Sequence, residues 1–312
     1  MTAIITVTLN PAVDLSTTVE RIVPVHKLRG TSLRRDPGGG GINVARVVTR
    51  LGGDVRAIYP AGGAMGELLC QLLDAEGIAS QIVPIAGETR EDFFVHETAT
   101  AQQYRFILPG PRLAGDEWNA CLAAVSALQP FPRFVVASGS LPAGVPDDFY
   151  AQLFRIAKQR GATTILDTSG APLAAAVAEG VDMIKPNLRE MHELCGGPEE
   201  GPAAWEAAAR ALVEKGLAKT VALTMGHRGA ALVTQETILR AKPLAIAPQS
   251  AVGAGDSFLG ALVFGLAAGR PLSQCFRQGV AAGAAALIHP GTDLCRPDDV
   301  ARLAAEVEIE TA

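Results

Sequence analysis

Short apolar runs alternate with stretches of helical spacing through most of the chain. Residues 55–59, 134–137, 164–167, 183–184 and 220–223 read as strands, and residues 1–10 read as a first one. Residues 66–76, with Leu68, Leu69, Leu72 and Leu73 on one face, and residues 149–158 read as helices between them. Brief apolar strands separated by helices predict an α/β fold class, with a mostly parallel sheet covered on both faces. With no repeat, low-complexity tract or long linker, residues 1–312 are expected to form a single domain.

Two segments break this rhythm, about 16–36 and 91–108. The second alternates polar and apolar positions in Gln103-Tyr104-Arg105-Phe106-Ile107-Leu108. Extended segments inserted into an α/β chain predict a small separate β-sheet, placed to cover an active site as a lid. An ordinary antiparallel edge would give the same pattern. From residue 255 to 287 the chain is rich in Ala and Gly. It reads as two closely packed helices, 255–268 and 272–287, broken at Gly269-Arg270-Pro271.

Composition narrows the function. Lys and Arg total 27 against 32 Asp and Glu, a formal net charge of -5, with no basic run to suggest nucleic-acid binding. No apolar stretch reaches the ~18 residues of a membrane span, and the N-terminal segment lacks the features of a signal peptide. The five cysteines are scattered without a C-x-x-C pair, which predicts reduced thiols and a cytoplasmic location. The five histidines show no zinc-ligand spacing.

Two glycine-rich segments carry the candidate chemistry. In Ala251-Val252-Gly253-Ala254-Gly255-Asp256-Ser257-Phe258, glycines precede a helical run, so free N–H groups gather at a helix N-terminus, where an anion binds well. Asp256 falls in the first turn. An acid there commonly acts as a cap or dipole partner. Beside an anion hole it can instead take a proton from a hydroxyl while the N–H groups hold a migrating phosphoryl charge. Pro37-Gly38-Gly39-Gly40-Gly41-Ile42-Asn43 runs into a helix at 42–51. It reads as a close-contact ligand loop with Asn43 reaching a hydroxyl, or as a hinge between lid and core. Neither segment is a G-x-x-x-x-G-K-[ST] loop or a clean G-x-G-x-x-G fingerprint.

Gly39-Gly40-Gly41-Ile42-Asn43-Val44-Ala45 with Arg50-Leu51-Gly52, followed far downstream by Val252-Gly253-Ala254-Gly255-Asp256-Ser257-Phe258, resembles the two signatures of the ribokinase (PfkB) family of sugar kinases. The resemblance covers almost the whole chain. It is nearest the 6-phosphofructokinase branch, through Thr8-Leu9-Asn10-Pro11-Ala12-Val13-Asp14, Tyr59-Pro60-Ala61-Gly62-Gly63, Gln103-Tyr104-Arg105-Phe106, Ser138-Gly139-Ser140-Leu141-Pro142 and Lys185-Pro186-Asn187. The 1-phosphofructokinases and tagatose-6-phosphate kinases share several of these.

The resemblance implies a ribokinase-like three-layer α/β/α core with a β-sheet lid, and ATP-dependent phosphorylation of a phosphorylated ketohexose, with fructose 6-phosphate as the expected acceptor. It makes Asp256 the base and Gly253, Ala254 and Gly255 the anion hole. Asp14, Gly39, Gly40 and Asn43 would hold the sugar, and Arg90, Ser140 and Lys27 its phosphate. Lys185, Asn187, Thr224, Gly226, Gly229 and Gly283 would meet ATP. Asn187 and Glu190 form the family's N-x-x-E motif, associated with Mg²⁺ held through water, though the same spacing makes a helix capping box. Ser250, Val252, Ala286, His289 and Gly291 match the positions of a K⁺ site, where His289 and Asp293 depart from the Asn and Arg of near relatives. The lids of this family pair into homodimers. From other classes, a nicotinamide-dependent oxidoreductase lacks its glycine fingerprint here, and a non-catalytic sensor would have no need of Asp256.

Overall fold

The computed structural model describes residues 3–196, 201–289 and 291–311. Its larger sheet begins with β1 (Ile4–Val7), β4 (Val55–Ala61) and β5 (Ala79–Pro84). It continues with β8 (Phe134–Ser138), β9 (Thr163–Asp167), β10 (Val181–Ile184) and β11 (Ala218–Thr224), and ends with β12 (Ala230–Thr234), β13 (Ile238–Ala241) and β14 (Ile309–Thr311). The spatial order is β14-β13-β12-β11-β10-β9-β8-β1-β4-β5. From β11 to β5 every pairing is parallel, and β12, β13 and β14 add an antiparallel edge.

The parallel strands read as apolar runs because both of their faces are buried. One face packs on α1 (Gly40–Arg50), α2 (Gly63–Ala75), α8 (Ala254–Ala267), α9 (Leu272–Leu287) and α10 (Pro297–Ala304). The other packs on α3 (Gly115–Ser126), α4 (Phe149–Gln159), α5 (Gly170–Ala178), α6 (Leu188–Cys195) and α7 (Pro202–Glu214). This is the three-layer α/β/α arrangement expected from the alternation.

The Ala- and Gly-rich helices approach closely. A Cβ on Gly260 of α8 would lie 2.7 Å from the Val47 Cβ of α1, and one on Gly279 of α9 would lie 3.0 Å from the Phe258 carbonyl oxygen. Side chains longer than hydrogen at these positions would force the helices apart.

The second sheet has the order β3-β2-β6-β7, built from β2 (Ala12–Val19), β3 (Arg34–Gly38), β6 (Arg90–Glu97) and β7 (Gln102–Phe106). It is mixed, since β2 and β6 run parallel between two antiparallel pairs. Its strands start earlier than the polar alternation suggested, at Ala12, and residues 20–33 form an exposed connection rather than strand. One face carries Asp14, Asp36, Asp92 and Phe94, all buried against the body, while Phe93 and Phe106 on the other face are exposed.

Candidate active site

The strand order turns at β1, which is flanked by β4 on one side and β8 on the other. In an open α/β sheet the crevice beyond the carboxyl ends at such a point is the natural ligand site. The chain leaves β1 through Thr8 and Asn10, β8 through Gly139 and Ser140, β9 at Asp167 and β10 at Lys185. The N-termini of α1 and α8 reach the same region, and the second sheet stands over it.

Gly253 caps α8 with a left-handed backbone, φ 73° and ψ 1°, a conformation that glycine adopts without strain. The N–H groups of Ala254, Gly255 and Asp256 have no earlier helical carbonyl to reach and are available to an anion. Asp256 is the third residue of the helix. Its carboxylate makes no cap and instead accepts from Asn43 Nδ2 at 2.9 Å. Burial and the facing Asp167 push its pKa up to about 6, against the opposing pull of Asn43, Lys185 and Arg46.

Asn43 is placed by the glycine run. Gly39, at φ 111°, turns the chain into α1 so close to the body that a Cβ on it would lie 3.2 Å from the Pro11 backbone, and Gly40 sits against Ser138 and Gly139. The N-terminus of α1 thereby lies directly on the ends of β1 and β8. Asn43 Oδ1 accepts from Arg46 one turn later, at 3.2 Å.

Asp14 occupies the middle of a row. It is paired in register with Asp36 on β3 and Asp92 on β6. Asp36 is held by Arg34 and by Thr292 at 2.6 Å, and Asp92 by Arg90 and the Leu108 N–H. Asp14 has no hydrogen-bond donor among the described residues, though it is only 6% exposed. Burial and the neighbouring Asp92 push its pKa up to about 8. An unpaired buried carboxyl of this kind is suited to receiving ligand hydroxyls.

Arg90 and Ser140 come together at Asn10. The Arg90 guanidinium donates to the Asn10 carbonyl at 3.1 Å, and Asn10 Nδ2 donates to Ser140 Oγ at 3.1 Å. Arg90 Nε and Asn10 Oδ1 are buried without partners. Lys27 lies on the exposed 20–33 connection and shares no hydrogen bond or ion pair with this group among the described residues.

Lys185 is 5% exposed, with Nζ 3.1 Å from Asp167 Oδ1. Burial opposes its charge, but Asp167, Glu190 and Asp256 outweigh it and hold its pKa above the ordinary lysine value. A Cβ on Gly255 would lie 3.3 Å from this Nζ, so the ammonium rests on the first turn of α8. Asn187 bridges to Thr224, whose loop turns through Gly226 and Gly229. Asn187 and Glu190 do form a reciprocal capping box, 2.9 Å in each direction. Burial raises the Glu190 pKa, and nearby Asp167 raises it further, despite the Asn187 N–H. Gly283 of α9 packs against the Ala254 carbonyl, 3.3 Å from where its Cβ would be.

Ser250 lies beside the end of α9, its N–H donating to the Leu287 carbonyl at 3.3 Å. Ser250 Oγ donates to the Gly291 carbonyl at 2.6 Å, and the Ala286 carbonyl accepts from the His289 N–H at 3.5 Å. Val252 N–H donates to Ser250 Oγ. The His289 ring is turned to Asp299, 2.9 Å away. Among the described residues, no three His, Cys, Asp or Glu side chains gather as a metal cluster.

Asp167, Arg46, Asn10, Asp36 and Asp92 also line this region and were not singled out from the sequence. Asp167 had a usable signal, being the one acid at the carboxyl end of an apolar parallel strand.

The profile of the pfkB family carbohydrate kinases matches residues 6–299. This chain belongs to that family. It is 44% identical over 306 residues to ATP-dependent 6-phosphofructokinase isozyme 2 of Mycobacterium tuberculosis, covering 97% of this chain and 90% of the relative. It is 37% identical to 1-phosphofructokinase of Xanthomonas campestris, covering 98% and 97%. Phosphofructokinase-2 from Escherichia coli superposes with a TM-score of 0.92 in complex with fructose-6-phosphate, at 39% identity, covering 98% of this chain and 99% of that one. In complex with potassium the TM-score is 0.93, at 40% identity and the same coverage. Family membership removes the oxidoreductase alternative. Among the described residues no helix is long and apolar enough to cross a membrane.

Proposed function

We propose that this kinase transfers the γ-phosphoryl group of ATP to the free primary hydroxyl of fructose 6-phosphate, giving fructose 1,6-bisphosphate. The observation that carries the reading is Asp256, with a pKa raised to about 6, set among the open N–H groups at the start of α8. The acceptor O–H gives its proton to Asp256 as its oxygen attacks the γ-phosphorus, and ADP leaves. The N–H groups of Ala254, Gly255 and Asp256 hold the charge on the transferred group.

Asp14 and Asn43, beside Gly39 and Gly40, receive the sugar hydroxyls. Arg90, with its unpaired buried Nε, and Ser140 receive the phosphate already on the sugar. Lys185, Asn187, Thr224, Gly226 and Gly229 border the nucleotide, and Gly283 supports the first turn of α8 from behind. Glu190 retains one oxygen outside its capping box and sits near Asp167, which suits Mg²⁺ bound through water. Mg²⁺ would neutralise phosphate charge. A potassium ion held by the main-chain oxygens of Ser250, Val252, Ala286 and Gly291 is supported by the Ser250 hydrogen bonds to Leu287 and Gly291 and by the potassium complex of the relative. His289 contributes no side-chain ligand in this arrangement.

The second sheet serves as the lid, and its outer face pairs two copies of the chain. Phe93 (38% exposed), Phe106 (53%) and Leu33 (61%) support that role, because large apolar groups at these exposures lose stabilising burial in a monomer. Lys27 sits in the same connection.

The test is kcat/KM for fructose 6-phosphate, fructose 1-phosphate and tagatose 6-phosphate with ATP and Mg²⁺. Fructose 6-phosphate should exceed the others by at least about tenfold. A preference for fructose 1-phosphate would reassign the chain to the activity named for its Xanthomonas relative.

A further inference from the structure

Arg46 is fully buried, an uncommon setting for an arginine. It projects from the second turn of α1 and spends its donors in one place. Nε and Nη2 form a fork on the Glu76 carboxylate at 2.6 to 3.0 Å. Nη1 donates to the Pro37 carbonyl at 3.0 Å and to Asn43 Oδ1 at 3.2 Å, and Nη2 lies 3.7 Å from Asp36.

This pattern decides which way Asn43 faces. A carboxamide presents an acceptor at one end and two donors at the other, whereas a guanidinium can only donate. Arg46 therefore selects the oxygen end, and the NH₂ end is left for Asp256 Oδ2. A flipped amide would set NH₂ against guanidinium and oxygen against carboxylate, two repulsive contacts. Asn43 and Arg46 are three residues apart on one helix, so their contact is set by α1 itself. Glu76, at the end of α2, keeps the guanidinium in its plane. The charged groups facing Asp256 are Asp167 at the end of β9, Lys185 just beyond β10 and Arg46 on α1.

We propose that Arg46 is a positioning residue for phosphoryl transfer: it fixes the Asn43 amide so that an N–H always points at Asp256, keeping that carboxylate ionised and aimed at the acceptor hydroxyl. This rests on Asp256 being the base. Glu76 is the anchor of the device and lies outside the reaction centre.

Four variants test it: Arg46→Gln, Arg46→Lys, Glu76→Gln and Asp256→Asn. Glutamine can offer either end of its amide to Asn43, whereas lysine remains a pure donor. Each protein is measured for Tm, for kcat and acceptor KM from pH 5 to 9, and for the carbon-13 titration of the Asp256 carboxyl, assigned by its loss in Asp256→Asn. In Arg46→Gln, kcat at pH 7 falls about tenfold and the acidic limb and carbon-13 midpoint move up by about half a pH unit. KM changes less than kcat. Arg46→Lys returns both midpoints toward the wild-type position. Glu76→Gln shifts them in the same direction as Arg46→Gln but by less.

A folded Arg46→Gln whose midpoints do not move, whatever its Tm, overturns the proposal, as does Arg46→Lys behaving identically to it. If Arg46→Gln does not fold, unmoved midpoints in Glu76→Gln overturn it. Full turnover in Asp256→Asn sinks the base assignment instead, and the carbon-13 titration then still decides whether Arg46 governs the Asp256 carboxyl.

Discussion

Lys185 Nζ stands 3.1 Å from Asp167 Oδ1 at the ends of two neighbouring parallel strands, with both side chains nearly enclosed. Neither charge has water enough to stand alone. Lys185→Met should destabilise the protein by roughly 3 kcal/mol, because the partner is left buried and unpaired. The double variant Lys185→Met with Asp167→Asn should recover part of that loss. Denaturant midpoints measure the stability, and the KM for ATP in the double variant reports the lysine's role at the phosphates. Full recovery of stability with an unchanged KM would leave Lys185 with no nucleotide contact.

Asp256→Asn should fold with a Tm close to wild type and lose about 10³-fold or more in kcat, read by coupled ADP release. In the wild type, a base with a pKa of about 6 must be ionised to act. Activity should therefore be present above pH 6 and fall as the pH drops through it. A profile flat down to pH 5 would place the required ionisation elsewhere.

Asp14→Asn should trade function for stability. The folded carboxyl holds its proton up to about pH 8, while the unfolded one loses it near the ordinary aspartate value of 3.8. Between these values the folded state binds more protons, so this group's contribution to stability declines as pH rises. Asparagine removes that decline. The variant's stability advantage over wild type should grow from pH 6 to pH 8, by about 1 kcal/mol or more in denaturation experiments, while the acceptor KM rises. An advantage that is the same at both pH values would show that Asp14 does not titrate in this range.

Phe106→Asp should weaken self-association without altering the core, since Phe106 is exposed on the outer face of the second sheet. Light scattering should give a dimeric mass for the wild type and a smaller mass for the variant. A monomeric wild type at working concentration would leave that apolar face to another partner.

Much of the fold was legible because buried parallel strands cannot disguise themselves. Residues 134–137 and 220–223 are apolar on both sides and fell inside β8 and β11. The antiparallel edge was harder: β13 and β14 are four and three residues long, too short for alternation to register. In the second sheet, polar alternation drew attention to residues 20–33, which form no strand, and missed Ala12 and Val13, whose burial comes from the body beneath them. Asp256 and Asn43 were legible because glycine marks close approach. Arg46 and Asp167 were not, since their importance lies in what they meet. Arg46 resembles any helical arginine until Glu76, Pro37 and Asn43 converge on it.

Gly260 has no side chain and touches no reacting group, yet it lets α8 lie against α1 at Val47. Asn43 and Asp256 ride on those two helices. An alanine at 260 would push the backbones apart and lengthen a hydrogen bond more than a full turn away. In a mutational scan scored by activity alone, this position would be indistinguishable from part of the chemical apparatus. The spacing of the reacting groups is inherited from the bare waist of a helix, and the chain guards it by omitting a methyl group.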